Sequence, residues 1–210
     1  MGSSTALTDP AARLVADTST VINLIATGNS RDIIAALPNR IAVVDVVPGE
    51  LEAGRARGRE ACDRLKELAS SGVLEIVELG DDALPYFEDL VIGPAIATLD
   101  DGEAATIAYA LAHSSTALID ERKATRICRE RFPNLRLACT IDVLIHGDVQ
   151  QCLGPALLAD AVFRALRDGK MGVLSHHLAW VIGVIGEERA AQCPSLPRRT
   201  RTPPTQSTAR

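Results

Sequence analysis

Four carboxylates fall where they could meet. Asp17 ends the short apolar run Leu14-Val15-Ala16, and Asp120 ends the run Thr116 to Ile119. Glu50 comes within three residues of the β-branched run Ile41 to Val47, and Glu103 lies in the first turn of the helix expected over Gly102 to His113. In an open parallel sheet, strand C-termini and helix N-termini gather on one edge, which is where ligands bind. Parallel strands would therefore bring these acids together. Two carboxylates about 4 Å apart repel by roughly 4 kcal/mol at an effective dielectric of 20, so such a cluster calls for a cation. Mg²⁺ or Mn²⁺ takes oxygen ligands and fits an all-carboxylate set. That chemistry suits phosphodiester hydrolysis, in which the ion activates water and stabilises the transition state. Taken singly, each acid also has a plain structural role. An Asp after a strand caps the next helix, and an acid in a first helical turn complements the dipole. The joint pattern is what points to a site.

The elements that must position these acids alternate. Strands are expected at 14–17, 41–47, 73–79, 116–119 and 135–139. Helices are expected at 20–27 with Thr18-Ser19 as cap, 30–36, from Pro48 with breaks at Gly54 and Gly58, 59–70, from Asp81, 102–113 and 121–131. Thr140 caps a helix running into Gln151, and helices over 155–167 and 174–190 follow. Strand alternating with helix implies an α/β domain with a mainly parallel sheet. Residues 1–12 read as a loose N-terminus, 13–150 as the main domain, 151–190 as a helical extension of it, and 191–210 as a disordered tail rich in Arg, Pro and Thr.

Composition narrows the class. The chain has 210 residues, 47% of them hydrophobic and 23% charged, which is ordinary for a globular protein. Aromatics are only 3%, against single-strand binding on stacking platforms. The net charge is -5, and Cys193 to Arg210 holds four Arg and no acid, so the body carries -9. That excludes a generically basic nucleic-acid binder. Five cysteines without a C-x-x-C pair read as reduced thiols in a cytoplasmic protein. The N-terminus has no secretory pattern, and Leu178 to Gly186 is about half the length needed to cross a bilayer.

At the acids the sequence resembles a PIN domain, the metal-dependent nuclease fold that includes VapC-type toxins. The matching pieces are LVADTSTVINLIATG (14–28), VVPGELEAG (46–54), LDDGEAATIAYALA (99–112) and ALIDERKATRIC (117–128). The resemblance continues through ACTIDVLIHGDV (138–149), like the branch with a G-T-x-x-V-L element, and more faintly to about residue 190. It implies a PIN-like α/β fold with extra C-terminal helices. It also implies a Mg²⁺- or Mn²⁺-dependent ribonuclease whose metal-binding acids are Asp17, Glu50, Glu103 and Asp120. Asp100 or Asp101 competes with Glu103, Glu121 with Asp120, and Asp142 is a further candidate. Ser19 and Thr140 are supporting residues. Small proteins of this kind are often dimeric toxins held by an antitoxin, so an RNA substrate, an antitoxin and a homodimer are the implied partners.

An acidic nuclease must hold RNA on a local basic patch. Arg55, Arg57 and Arg59 follow Glu50. Arg122, Lys123, Arg126, Arg129 and Arg131 follow Asp120 on a helix whose other plain reading is a solvated face. His176-His177 has no carboxylate or Cys at metal spacing in the sequence and reads as surface or packing. Trp180 reads as packing or a self-association face. Two alternatives stand. One is a haloacid-dehalogenase-like phosphohydrolase, which needs an Asp where Ser19 stands. The other is a catalytically silent PIN-like module, against which all four acid positions are filled.

Overall fold

The computed structural model describes residue 7 and residues 9–54 and 56–197, with the side chains of all of these except 56–59. Five short strands form one parallel sheet: β1 (Leu14–Ala16), β2 (Ile41–Val44), β3 (Glu75–Val77), β4 (Thr116–Leu118) and β5 (Arg136–Ala138). Their order is β3-β2-β1-β4-β5. The register sets Leu14 opposite Ile41 on one side and opposite Thr116 on the other. The chain builds outward from β1 to β3, then returns to lay β4 against the opposite side of β1. The order reverses between β1 and β4, which is where an open α/β sheet forms its ligand crevice.

Strand alternation builds a core on each face. Leu14 and Ala16 of β1, with Ile41, Val43 and Leu118, face the larger core. Helices α1 (Thr18–Ala26), α2 (Ser30–Ala36), α4 (Ala56–Ser70), α9 (Gly147–Arg167) and α10 (Leu178–Ile185) lie on that side. Val15, Val44, Ala117 and Ile119 face the other side. There α5 (Leu84–Val91), α6 (Asp101–Ala112) and α7 (Arg122–Arg131) cover the sheet. Three more helices complete the fold: α3 (Val46–Ala53), α8 (Thr140–Ile145) and α11 (Glu187–Ala191). The expected α/β architecture with a parallel sheet is what forms.

Several local expectations are corrected. The second strand stops at Val44 rather than Val47, and Val46-Val47 open α3 instead. Pro48 sits in that helix's first turn, where a missing N–H costs nothing, so it outweighs two β-branched residues. The cap of α1 is Asp17, not Thr18-Ser19. The cap of α8 is Cys139, not Thr140. The helix expected from Thr140 into Gln151 is broken at His146 into α8 and the start of α9, and α9 runs on through Pro155 with a kink at Gly154 (φ 68°).

Both ends are more ordered than composition implied. Leu7 and Ala12 are buried. Asn39 Nδ2 donates to the carbonyls of Asp9 (2.7 Å) and Ala12 (2.8 Å). At the other end Cys193 and Leu196 are buried in the main core, so the chain stays within the fold through Leu196. Two apolar anchors three residues apart were hidden by the Pro- and Ser-rich residues around them. The rest of the expected tail, from 198, lies outside the described residues. Trp180 packs partly buried against the main core, in line with the packing reading.

Candidate metal centre

Asp17 follows β1 directly and is fully buried. Its Oδ1 accepts the backbone N–H of Thr20 at 2.7 Å, the capping bond of α1. Ser19 Oγ donates to its two oxygens at 2.9 and 3.1 Å. Capping and a metal-facing position are therefore the same position here. Burial, and next the charge of Asp120, push the Asp17 carboxyl up to about 7, against the opposing bonds from Thr20 and Ser19.

Asp120 follows β4 by two residues and is buried as well. Thr140 holds it twice, with its N–H to Oδ1 (2.8 Å) and its hydroxyl to Oδ2 (2.5 Å). Asn23 Nδ2 donates to Oδ2 at 2.6 Å. Burial raises the Asp120 carboxyl above its usual range despite these three donors, and the charge of Asp142 adds to the rise. Glu103, half-buried in the first turn of α6, is pushed up to about 7. Burial is the largest cause, followed by the charges of Asp17, Glu121 and Asp100.

Glu50 projects from α3 and bridges the two neighbouring segments. The Thr18 hydroxyl donates to its Oε2, and the backbone N–H of Gly102 donates to Oε1 at 2.7 Å. Thr18 follows Asp17 and Gly102 precedes Glu103, so Glu50 ties the two segments that carry those acids. Gly102 is required by this approach. A Cβ there would overlap Glu50 Oε2 and lie 2.6 Å from Thr18 Oγ1. Gly102→Ala is expected to cost about 1–3 kcal/mol, the usual cost of overpacking. It should also loosen Glu50, and a denaturant melt checks the stability change.

The structure thus gathers Asp17, Glu103 and Asp120 into one field, with Glu50 alongside. Among the described residues no Lys or Arg forms an ion pair with any of the four. Their oxygens do not close into a group of three within 4.8 Å of one another. Charge without an internal counter-ion, in a buried oxygen-only set, is the chemistry that a hard divalent cation answers. Asp101, Glu121 and Asp100 are exposed beside it. Asp142 is buried, and its Oδ2 accepts from the Cys139 N–H at 2.9 Å. Its other oxygen, Oδ1, lies 3.2 Å from His177 Nε2.

A cleft of about 240 Å³ opens beside Asp120, lined by Ser19, Asn23, Glu121 and Lys170 among others. A larger one, of about 490 Å³, lies at the opposite sheet edge around Ser115 and Leu135 and holds no carboxylate. The basic candidates are unevenly placed. Arg122 donates to the Val173 carbonyl at 3.2 Å, and Arg126 binds Glu130 at 2.9 Å and the Ile96 carbonyl at 3.2 Å. Arg131 is paired with Asp89. Arg129 is exposed and Lys123 half-buried. Arg55 and the side chains of Arg57 and Arg59 lie outside the described residues.

Sequence reasoning missed Asn23, Thr18 and Lys170. Asn23 left a signal: Thr20, Asn23 and Thr27 form a buried polar row at helical spacing on the apolar helix α1. Lys170 left none, since it reaches the cleft from the C-terminal extension. The reading of His176-His177 as lacking a carboxylate is corrected for His177, because the partner arrives from a distant element.

A model of the PIN-domain family matches residues 13–183, a span that contains all four acids. No curated protein and no solved structure matches the chain. With β1, the crevice beside it and each of these acids inside a match covering most of its length, the chain belongs to the PIN-domain family.

Proposed function

We propose that this protein is a Mg²⁺- or Mn²⁺-dependent ribonuclease that hydrolyses RNA phosphodiester bonds. PIN domains are generally nucleases, which gives the reaction class. The observation that supports metal dependence is the buried pair Asp17 and Asp120, with half-buried Glu103 beside them and no Lys or Arg paired to any of the three among the described residues. The RNA substrate rests on the resemblance to toxin-type PIN proteins. Asp17, Glu103 and Asp120 would hold the ion, and Glu50 would hold the Asp17 and Glu103 segments in register. When bound, such an ion supplies Lewis-acid charge to a phosphodiester and makes water a usable nucleophile near neutral pH. Ser19 and Thr20 fix the Asp17 carboxylate, and Thr140 and Asn23 fix Asp120, so both enter the reaction already oriented.

Lys170 supplies cationic charge at the lip of the cleft. It is exposed and holds φ at 60°, a left-handed conformation that costs a non-glycine residue about 1–2 kcal/mol. Lys170→Gly is therefore expected to stabilise the fold by about 1 kcal/mol while weakening RNA binding. The slope of log affinity against log salt should fall by about 0.7–0.9, the effect of one lost phosphate contact. A salt titration of RNA binding by the two proteins measures it. Arg129, Lys123, Arg122 and Arg126, with Arg55 and Arg57, complete the proposed RNA contacts.

All five cysteines are free, which accords with a reducing cytoplasm. Among the described residues no helix is long and apolar enough to cross a membrane. The resemblance to toxin-type PIN proteins makes a co-encoded antitoxin, and a second copy of the chain, the partners to seek. Inspecting the neighbouring gene for a small DNA-binding antitoxin tests the first, and sedimentation of the purified chain tests the second.

The activity itself is tested by incubating purified protein with structured RNA in Mn²⁺ or in EDTA. Cleavage with Mn²⁺ that stops with EDTA is expected. Cleavage that continues in EDTA contradicts the reading. Absence of cleavage on RNA and DNA, together with absence of Mn²⁺ binding, favours a silent binding module.

A further inference from the structure

A second cluster lies behind Thr140, on the far side of the residue that grips Asp120. Cys139, Asp142 and His177 are each buried, with relative exposures of 4, 8 and 6%. One donor atom from each lies within 4.8 Å of the other two, and they are the only such group among the described residues. Two come from the N-terminus of α8. The third comes from the short turn Ser175–His177 that precedes α10.

The separations are those of ligands around one small ion. Zn²⁺ bound at ~2.0 Å to N and O and ~2.3 Å to S places tetrahedral ligand atoms roughly 3.2–3.6 Å apart. Here His177 Nε2 lies 3.2 Å from Asp142 Oδ1, and the Cys139 thiol donates a hydrogen bond to the other oxygen, Oδ2, at 3.2 Å, a proton that a metal would replace. Although close to the carboxylate, His177 Nε2 is off the hydrogen-bond direction and has no hydrogen-bond partner. A buried imidazole nitrogen without a partner costs about 1–3 kcal/mol, and it is aimed into the cluster. A lone pair on that nitrogen, a thiolate and a carboxylate would all be satisfied by one cation.

We propose that Cys139, Asp142 and His177 bind Zn²⁺ as a three-ligand centre with one position left open. Thiolate and imidazole select a borderline metal rather than Mg²⁺, which prefers oxygen. The charges balance, because Zn²⁺ meets one thiolate, one carboxylate and a neutral imidazole. On binding, the Cys139 S–H bond breaks, its proton leaves to solvent, and the sulfur electron pair forms the Zn–S bond. Burial, then the charges of Asp142 and Asp120, push the Cys139 thiol up, and the charge of a bound cation would outweigh them. The consequence is mechanical. The metal would pin the C-terminal layer to the turn of Cys139 and Thr140, and Thr140 holds Asp120. The site is thus distinct from the carboxylate centre but coupled to it through one residue.

Cobalt titration of the full chain, first stripped with a chelator, tests the proposal. One equivalent of Co²⁺ is expected to give a thiolate-to-cobalt charge-transfer band that one equivalent of Zn²⁺ abolishes. Cys139→Ser should lose the band. His177→Gln should weaken zinc binding by at least the ~10–100-fold that loss of a mere supporting residue costs a metal site. Cys152→Ser, at the one exposed cysteine, should keep the band. Absence of the band in the wild type overturns the proposal even if the variants fail to fold. Its persistence in Cys139→Ser, or its loss in Cys152→Ser, does so as well. Asp17→Asn should lose RNA cleavage and keep the band, so the two readings fail separately.

Discussion

Asp17→Asn is expected to abolish Mn²⁺-dependent RNA cleavage while making the metal-free protein more stable above pH 7. The two effects have one cause. Asp17 is fully buried, faces the charge of Asp120, and has its carboxyl pushed up to about 7. Asparagine keeps an acceptor for Ser19 and Thr20 but carries no charge. Loss of a ligand removes several kcal/mol of charge stabilisation, and each 1.36 kcal/mol is a factor of ten. A fall of roughly a thousandfold or more in cleavage rate is the expectation. The stability gain should be about 1–3 kcal/mol in a urea melt at about pH 8 without divalent ions. A variant that is inactive and also less stable at that pH would contradict the repulsion on which the site is built.

The second large effect is the response of the metal-free fold to pH. Asp17 and Glu103 both have folded values near 7, against ordinary values of 3.8 and 4.5. Between those limits the folded state holds more protons than the unfolded chain, so stability falls as pH rises. For Asp17 alone the loss by about pH 8 is bounded at about 4 kcal/mol. Asp142 acts in the opposite sense. Burial alone would raise its carboxyl, but the adjacent His177 imidazole and the hydrogen bonds from Cys139 hold it below the usual range. Its contribution is present above about pH 4 and lost as pH falls further. These three groups therefore place maximum stability near pH 4, with a decline toward pH 8. Saturating Mn²⁺ should remove most of that decline, because an ion that binds only the folded state adds stability by mass action. Thermal melts across this range, with and without Mn²⁺, check it. Stability that stays flat from pH 5 to 8, or is unmoved by Mn²⁺, is the opposing result.

Much of the site was legible because its signals are local. Asp17 and Asp120 end apolar runs, and Glu103 opens a helix of small apolar residues, so each announces a strand end or a helix start. Parallel pairing then brings the three to one edge. What was not legible depends on contacts across the fold. Glu50 was placed, but nothing in the sequence says that its carboxylate sits on the N–H of Gly102, 52 residues away. The union of Cys139 and Asp142 with His177 requires the C-terminal layer to fold back over α8. Composition also misjudged the ends, because Leu7, Cys193 and Leu196 are single apolar anchors in polar surroundings. At α3 a local rule lost to another local rule, where Pro48 favoured a helix start over two valines that favoured a strand.

The central claim is that Asp17, Glu103 and Asp120 form a cation site, and Mn²⁺ binding to the metal-free protein tests it most directly. Free Mn²⁺ is read by electron paramagnetic resonance at about pH 7.5. Saturable binding by the wild type is predicted, weakened roughly tenfold or more in Asp17→Asn and in Asp120→Asn, and unchanged in Cys152→Ser, at the exposed cysteine outside both clusters. Equal binding by the wild type and Asp17→Asn, or no binding by either, would contradict the account.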